Sequence, residues 1–391
     1  MRDVAVLGVG MTRFGKFLDS SLKQLAGEAI DVACKDAGVT AEDLDAAYAS
    51  NAIAGLITGQ EMVRGQVVLR SLGIDGLPVV NVENACAGGA TALTLAWQAV
   101  SSGAVDVALA YGVEKMTHED RRRPIEAIAT AMDVDVEIDR SSKSPFMEHY
   151  AERIHGYMEQ TGATVEDFAR VAVKAQHNGA RNPRAQYGNS DATTEDILAS
   201  SLVADPLTVM MCSPIGDGAA AVVLVGEDVV DRFTDPHPVW IRASVLRSGS
   251  PPQSGPGGIE RAAAAAYEMA GIGPDELDVV ELHDANAASE IMRYESLGLA
   301  PVGDGPRLVR DGTTRFEGQL PVNPSGGLIA RGHPIGATGC AQIHELTHQL
   351  RGTAGPRQVE GARVALAENG GGWVADDVAA DAVHILTADR G

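Results

Sequence analysis

Three short patterns occur twice in this chain of 391 residues, in the same order in each half. AGVTAEDLDAAY at Ala37–Tyr48 returns as AGIGPDELDVVE at Ala270–Glu281, each after an alanine-rich helical stretch. GGATAL after Cys86 is similar to IGATGCAQ after His333, and VALAYG in the first half is similar to VALAEN in the second. A chain of this length normally divides into more than one core. The repeats predict two βαβ-rich halves related by a pseudo-twofold axis, which would bring Cys86 and His333 to one central site.

Cys86 lies in VVNVENACAGGATALTLAWQAV, where a hydrophobic run from Pro78 to Val82 gives way to small residues and then to a helical pattern. This order predicts a strand-to-helix elbow. A helix N-terminus lowers a thiol pKa and supplies free N–H groups for an oxyanion. His333 stands between two rigid or small neighbours in the glycine-rich NPSGGLIARGHPIGATG. Such a thiol and histidine indicate a nucleophile and its base, although cysteine chemistry alone also allows an inert core thiol.

Four motifs carry a resemblance to a known family. VENACAGGATAL resembles the nucleophile motif of thiolases, and GGLIARGHPIGATG resembles their histidine motif. MCSPIGDGAAAVVLV is similar to the mid-chain strand motif of the sterol-carrier-protein-x type, or lipid-transfer-protein-like, thiolases. ELHDANAASE contains His283 and is similar to the HD pair by which that branch replaces the NEAF sequence. The resemblance runs from Val4 to about Leu386 and implies such a thiolase without the sterol-carrier domain.

The family resemblance implies an α/β thiolase fold, in which duplicated βαβαβ halves form a five-layered αβαβα arrangement with an inserted loop domain. The α/β rhythm breaks between Met116 and about Leu207, which indicates the insertion. We therefore expect an N-terminal half at 1–115 and 208–235, a loop (cap) domain at 116–207, and a C-terminal half at 236–391.

By the same resemblance the cap covers the site and contacts the nucleotide of coenzyme A. Arg121, Arg122 and Arg123 in the cap are candidates for binding its phosphates, and Ser325 and Gly326 of the histidine motif are further candidates for contacting substrate. A solvated surface charge run is the alternative interpretation of the three arginines.

The resemblance implies acyl transfer through a covalent thioester on Cys86. His333 would take the thiol proton, and the acyl group would pass to coenzyme A after cleavage of a 3-ketoacyl-CoA, or to a second acyl-CoA in a Claisen condensation. The N–H groups of Cys86 and Gly370 would form the oxyanion hole. His283 and His333 would polarise the enolate-forming carbonyl.

The sequence departs from the family at the acid/base cysteine. Thiolases carry this cysteine either in CxGGG or, in the sterol-carrier type, in HDCF, whereas this chain has Glu368 and Ala285 at those positions. A desolvated Glu368 with a raised pKa is a candidate replacement, and a plain loop carboxylate is the alternative. The remaining Cys86, His283 and His333 are similar to the Cys-His-His set of ketoacyl synthases.

Composition and motif spacing exclude several other functions. A formal net charge of −22 disfavours binding to nucleic acid or to anionic membranes. No apolar run reaches the ~20 residues of a spanning helix, and the four cysteines lack CxxC or short Cys/His spacing, so we expect no metal site. We expect no bound cofactor, coenzyme A as a substrate, and a cytoplasmic location.

The leading hypothesis is an acetyl-CoA C-acyltransferase of lipid metabolism, in fatty acid or steroid degradation. We expect a homodimer whose interface, by resemblance, lies on the strand after the nucleophile helix. The first alternative is a retro-aldol lyase that acts on CoA-ester side chains with a small OB-fold/zinc-ribbon partner, which the absent cysteines favour. The second is a non-catalytic scaffold subunit that binds acyl-CoA.

Overall fold

The computed structural model describes residues 1–135, 144–234, 236–251 and 255–390, so 136–143 of the expected cap lie outside the described residues. In these ranges the chain forms eleven strands, thirteen α-helices and several short 3-10 helices. The strands are β1 (Val4–Met11), β2 (Ala46–Ser50), β3 (Val79–Val82), β4 (Val107–Glu114), β5 (Leu202–Ala204), β6 (Leu207–Thr208), β7 (Gly218–Gly226), β8 (Val239–Arg247), β9 (Val279–Glu281), β10 (Val364–Val374) and β11 (Asp377–Thr387). The helices are α1 (Leu22–Ala37), α2 (Ala54–Thr58), α3 (Arg64–Ser71), α4 (Gly88–Ser101), α5 (Arg122–Ala129), α6 (Pro145–Thr161), α7 (Val165–Ala180), α8 (Thr194–Ala199), α9 (Gly258–Ala270), α10 (Ala287–Ser296), α11 (Gly305–Arg310), α12 (Gly327–Ala330) and α13 (Thr338–Arg351).

Local sequence explains the first of these elements. Every residue of β1 is buried, as its continuous apolar run requires at the centre of a sheet. Helix α1 begins at a capping box in which Ser21 and Gln24 satisfy each other's backbone N–H groups, and it ends at Gly38 with a left-handed φ of 67°.

The strand order repeats itself in mirror image. Nine of the strands form one sheet in the order β3-β2-β4-β7-β1-β8-β11-β10-β9. In the first half β2 pairs in parallel with β3 and β4, and β7 is antiparallel to β4 and β1. In the second half β10 is parallel to β9, and β11 is antiparallel to β10 and β8. Val322 adds a parallel bridge to Val280 of β9, in the place that β3 has beside β2. The halves meet at the antiparallel pair β1-β8, which confirms the duplication.

Helices form the remaining layers. Helix α1 packs on the outer face of the first half and α9 on the outer face of the second, while α4 and α13 pack on each other between the two halves. Three large buried apolar clusters fill the spaces between these layers. This arrangement confirms the predicted five-layered fold.

Two glycines allow the central helices to approach closely at their N-termini. A Cβ atom at Gly339 would lie 2.2 Å from the backbone nitrogen of Ala90, and one at Gly89 would lie 2.9 Å from the carbonyl oxygen of Gly336. Because α4 follows Cys86 and α13 follows His333, this contact brings the two sequence motifs together.

The inserted segment is largely helical in the described residues and rests on the second half. Ile154 of α6 and Phe168 of α7 belong to the same buried cluster as Ile291 of α10 and Leu366 of β10. The boundaries of the insertion at 116–207, and of the halves around it, stay predictions. Among the described helices, none combines the length and apolar composition that a membrane crossing requires.

Candidate active site

Cys86 lies on a single 3-10 turn, Ala85–Ala87, between β3 and α4. Ala85 has a φ of 47°, in the left-handed region that residues with a Cβ rarely adopt. Such strain is typical of functional turns. The predicted elbow is present, and the thiol at its tip lines a cavity.

Two histidines of the second half meet this thiol. His283 follows β9, and His333 precedes the turn Ile335–Ala337 that leads into α13. The sulfur of Cys86 and one ring nitrogen from each histidine lie within 4.8 Å of one another. The two ring centroids are 5.1 Å apart, and all three side chains are buried. Three of the predicted catalytic residues therefore form one cluster.

Hydrogen bonds at the far side of each ring fix the tautomers. Nδ1 of His333 lies 2.7 Å from the hydroxyl of Thr338, which donates its own hydrogen to the carbonyl of Pro334. Nδ1 of His333 is therefore the donor, and its Nε2 keeps a lone pair. The side-chain nitrogen of Asn369 lies 3.4 Å from Nδ1 of His283, which accepts and leaves the hydrogen on Nε2. Within the described chain neither Nε2 has a hydrogen-bond partner.

Burial controls the titration of all three groups. Burial, followed by a neighbouring carboxylate, raises the pKa of Cys86 to about 12. Burial and then Arg331 lower the pKa of His333 to about 3. Burial, His333 and Arg293 lower the pKa of His283 well below its usual range. The prediction of a lowered thiol pKa is wrong, because the N–H donors of the elbow do not offset the loss of water. At neutral pH the cluster holds a thiol and two neutral imidazoles.

Two glycines of β10, Gly370 and Gly372, approach the catalytic cluster. The backbone N–H groups of Gly372 and of Cys86 itself lie near the sulfur of Cys86, where they lower its pKa against the larger effect of burial. Gly372 has a φ of 64°, a conformation open to glycine. Gly370 pairs with Asp381 in the ladder, and its backbone lies beside the ring of His283. The role of Gly370 in the oxyanion hole stays a prediction, and Gly372 is a second candidate for it.

Glu368 lies in a buried ion pair. Its two carboxylate oxygens accept hydrogen bonds from Nε of Arg293, Oε1 at 3.0 Å and Oε2 at 2.9 Å. Oε2 also accepts a hydrogen bond of 2.9 Å from the backbone N–H of His283. Burial and the charge of Glu368 raise the pKa of Asp381 well above its usual range, so Asp381 is a neutral acid that donates to Glu368. These contacts argue against the predicted acid/base role, which requires a carboxylate oxygen near the α-carbon of the substrate, and the role stays a prediction. The arrangement instead fixes Arg293 and the backbone of His283.

A second buried carboxylate, Glu114, lies at the end of β4 and was not among the site residues predicted from the sequence. It is the carboxylate that helps to raise the pKa of Cys86. Burial raises its own pKa to about 7, against several N–H groups that favour its charged form. Its backbone donors, at 2.8 to 3.2 Å, are Ala52, Ile53, Ala54 and Gly336. Because Glu114 accepts the N–H of Gly336, it links the turn after His333 to β4 of the first half. The sequence pattern that could have indicated this residue is the glutamate at the end of the apolar strand VALAYGVE.

Ser325 and Gly326 lie away from the cavity, in the interior. The hydroxyl of Ser325 donates to Glu281 at 2.8 Å and accepts from Arg331 at 3.1 Å. A Cβ at Gly326 would lie 2.9 Å from the backbone of Gly179. Neither residue lies in the described cavity wall, and their predicted contacts with substrate stay predictions.

Arg121, Arg122 and Arg123 are exposed at the start of α5. Arg122 pairs with Asp120 at 3.6 Å, and a guanidinium nitrogen of Arg123 lies 3.1 Å from the ring of His118. Other residues of α5 reach the cavity, but in the described chain these arginines do not line it. Their phosphate binding stays a prediction.

A cavity of about 860 Å³ leads to Cys86 and His333. Its polar residues include Lys16, a cation that the sequence analysis did not identify, and the cavity also contains Cys212 and Ala285. Cavities of this size hold ligands as large as drug molecules. Most of its wall is apolar, with contributions from Met116, Ile125, Ile128, Phe146, Met147, Val203, Val209, Met210, Ile329 and Ile335.

Comparison with protein families settles the relationship. The family described as "Thiolase, N-terminal domain" matches residues 4–228, and the one described as "Thiolase C-terminal domain-like" matches residues 252–387. The chain belongs to the thiolase family. This confirms the resemblance that the four motifs carried.

Full-length relatives agree with this assignment. This thiolase is 44% identical to the acetyl-CoA acetyltransferase of Methanothermobacter thermautotrophicus over 378 residues, 95% of this chain and 97% of the relative. It is 37% identical to human sterol carrier protein 2 over 394 residues, 94% of this chain and 70% of the relative. The solved Ltp2-ChsH2(DUF35) aldolase shares the fold, with a TM-score of 0.80 at 24% identity over 99% of this chain and 98% of that one. The chain is thus a thiolase-like acyltransferase.

Proposed function

We propose that this thiolase exchanges acyl groups between 3-ketoacyl-CoA thioesters and coenzyme A through an acyl-Cys86 intermediate. One observation carries the proposal: the sulfur of Cys86 meets a ring nitrogen of His283 and of His333 within 4.8 Å. Because His333 and Cys86 line the large cavity, a substrate carbonyl can reach both of them. In this proposal Cys86 is the nucleophile, His333 is the base, and His283 is the hydrogen-bond donor to the substrate.

In the first half-reaction, Cys86 attacks the C3 ketone of the substrate while its proton moves to Nε2 of His333. The N–H groups of Cys86 and Gly372 hold the C3 oxyanion, each contributing about 3 kcal/mol to transition-state stabilisation. The C2–C3 bond then breaks, and its electron pair forms the enolate of acetyl-CoA. Nε2–H of His283 donates to the enolate oxygen. The proton on His333 passes to C2, which releases acetyl-CoA and leaves the acyl group on sulfur.

In the second half-reaction, coenzyme A gives its thiol proton to His333 and attacks the acyl carbonyl. The sulfur of Cys86 leaves and recovers that proton. The two half-reactions balance with one mobile proton on His333, so they need no second cysteine and no proton transfer at Glu368. The reverse sequence is the Claisen condensation.

The apolar wall of the cavity supports acyl groups larger than acetyl as substrates. A small acyl group would leave most of about 860 Å³ to water beside methionine, isoleucine and phenylalanine side chains. Filling this volume with apolar atoms gains roughly 25 cal/mol per Å² of buried apolar surface. Lys16 in the wall and the three arginines at the start of α5 are our candidates for the coenzyme A phosphates.

Thiolysis of a chain-length series of 3-ketoacyl-CoA thioesters tests the proposal. We expect kcat/KM to rise from acetoacetyl-CoA to longer or ring-bearing acyl groups, with acyl-CoA products identified by mass spectrometry. Cys86→Ala should reduce turnover below about 1% of wild type, whereas Cys34→Ala, the same change on the distant α1, should not. Activity above a few per cent in Cys86→Ala would overturn the assignment of the nucleophile.

Ala285 supports a second candidate, retro-aldol cleavage of CoA-ester side chains, because the cavity lacks a cysteine at the position where sterol-carrier-type thiolases carry one. A small OB-fold/zinc-ribbon partner would belong to this candidate. A cleavage that yields an aldehyde or ketone from a 3-hydroxyacyl-CoA, without an acyl-enzyme, would favour it. Formation of two acyl-CoA products would exclude it.

We also propose a cytoplasmic homodimer, with its interface at the edge of the sheet. β3 forms that edge, and Val80 on it is 43% exposed. An open apolar edge strand is normally covered. The expected interface on the strand after the nucleophile helix is wrong, because that strand, β4, lies between β2 and β7.

A further inference from the structure

We propose that Cys86, His283 and His333 form a zinc-binding site whose occupation blocks acylation of Cys86. Sequence spacing predicted no metal site, but these donors come from three distant segments that only the fold brings together. Their thiol sulfur and ring nitrogens lie within 4.8 Å of one another, and all three residues are buried. Zinc binding rests on this geometry alone; its inhibitory effect rests on the proposed role of Cys86.

The donor set matches zinc chemically. One thiolate and two imidazoles suit zinc, and a site with three protein ligands leaves one tetrahedral position open. Bonds of about 2.3 Å to sulfur and about 2.0 Å to nitrogen place the ligand atoms about 3.5 Å apart. The three donor atoms, within 4.8 Å of one another, must therefore approach by at most about 1.3 Å when the ion binds. Because Cys86 and His333 line the cavity, a metal ion and a water on the open position have an entry path.

Both histidines have partners that orient them for a metal. Nδ1 of His333 donates to Thr338 at 2.7 Å, so its Nε2 already presents a lone pair. For His283 the hydrogen moves from Nε2 to Nδ1, where the Asn369 amide lies at 3.4 Å. The side-chain oxygen of Asn369 has no partner in the described chain, so turning the amide provides an acceptor for that hydrogen.

The surrounding charges accommodate a cation. The nearby arginines are already paired, Arg293 with Glu368 at 2.9 Å and Arg331 with Glu281 at 2.9 Å. Glu114 adds a buried carboxylate near the thiol. Binding replaces the thiol proton by zinc and releases one proton to the buffer. The ion takes the Nε2 lone pair of His333 and lies beside the sulfur, so His333 cannot accept a proton and a substrate carbonyl cannot approach the sulfur between the two rings; acyl transfer therefore stops.

The test uses the full chain after removal of metals with a chelator. Zinc is titrated against a chromophoric competitor, and we expect one equivalent per chain. Cys86→Ser, His283→Ala and His333→Ala should each weaken binding by about 100-fold or more, whereas Cys34→Ala and the exposed His155→Ala should not. Cobalt should give a sulfur-to-metal charge-transfer band that is absent in Cys86→Ser. Thermal unfolding verifies that each variant is folded.

Zinc bound equally well by Cys86→Ser, or less than one equivalent bound by the wild type, overturns the site. Stoichiometric, Cys86-dependent binding that leaves acyl-enzyme formation unchanged overturns the inhibition alone. If metal-free protein forms no acyl-enzyme, the proposed function fails, while the titration still decides the zinc site.

Discussion

Replacing Glu368 by glutamine should lower the free energy of unfolding and should leave proton exchange at the substrate α-carbon almost unchanged. The side chains of Glu368 and Arg293 are 0% and 5% exposed, and glutamine removes the charge that pairs with the guanidinium. Breaking a buried ion pair from one side costs about 3–5 kcal/mol. Neutral Asp381 lies in the same cluster and can lose its proton to restore one anion beside Arg293. We therefore expect Glu368→Gln to cost only about 1–3 kcal/mol.

The double variant Glu368→Gln/Asp381→Asn removes both possible anions and should cost the full amount of about 3–5 kcal/mol. Asp381→Asn alone should be nearly neutral, because an amide N–H can still donate to Glu368. The coupling between the two positions, measured from urea unfolding midpoints at constant m, should exceed about 0.5 kcal/mol.

The functional assay is deuterium washout from labelled acetyl-CoA, carried out below the unfolding transition. We expect Glu368→Gln to retain exchange at the α-carbon, since both oxygens of Glu368 face Arg293 and the backbone of His283. A variant as stable as wild type that loses exchange by about 100-fold or more would refute this reasoning and make Glu368 the acid/base.

Two further predictions concern the cavity and the thiol. Ala285→Cys restores a thiol to the cavity wall and should raise the washout rate at least about tenfold, whereas Ala285→Ser should not; equal rates in the two variants would show that this position does not reach the α-carbon. With a pKa of about 12, Cys86 should be alkylated by iodoacetamide about ten times faster for each pH unit between pH 7 and 10, because the thiolate fraction rises tenfold per unit below the pKa. A plateau below pH 8, followed by peptide mass spectrometry, would contradict the burial argument.

Features set by local sequence were predictable. The apolar run of β1 and the capped, amphipathic α1 each identify their own structure, and the order of the repeated segments identified the mirrored halves. The elbow at Cys86 followed from the change from apolar to small residues. Strand β1, helix α1 and the elbow depend on residues that are close together in the sequence. The duplicated halves follow from comparing the repeated segments with each other.

Features set by burial and by distant partners were not predictable. The pKa of Cys86 rises because the fold removes water and brings Glu114 near, whereas the sequence showed only a favourable helix start. Glu368 became an ion-pair member because Arg293, 75 residues away, reaches it. The positive φ of Gly372 and its position near the sulfur of Cys86 are not visible in the run of glycines in ENGGG.

Intact-mass spectrometry of the protein after incubation with acyl-CoA shows directly whether the acyl group passes through Cys86. We expect a mass increase of one acyl group per chain, located on the peptide that contains Cys86 and removed by added coenzyme A. Cys86→Ala should give no adduct, while Cys34→Ala should give the full adduct. The absence of any adduct from the wild type, or an adduct on another cysteine, would contradict acyl transfer through Cys86.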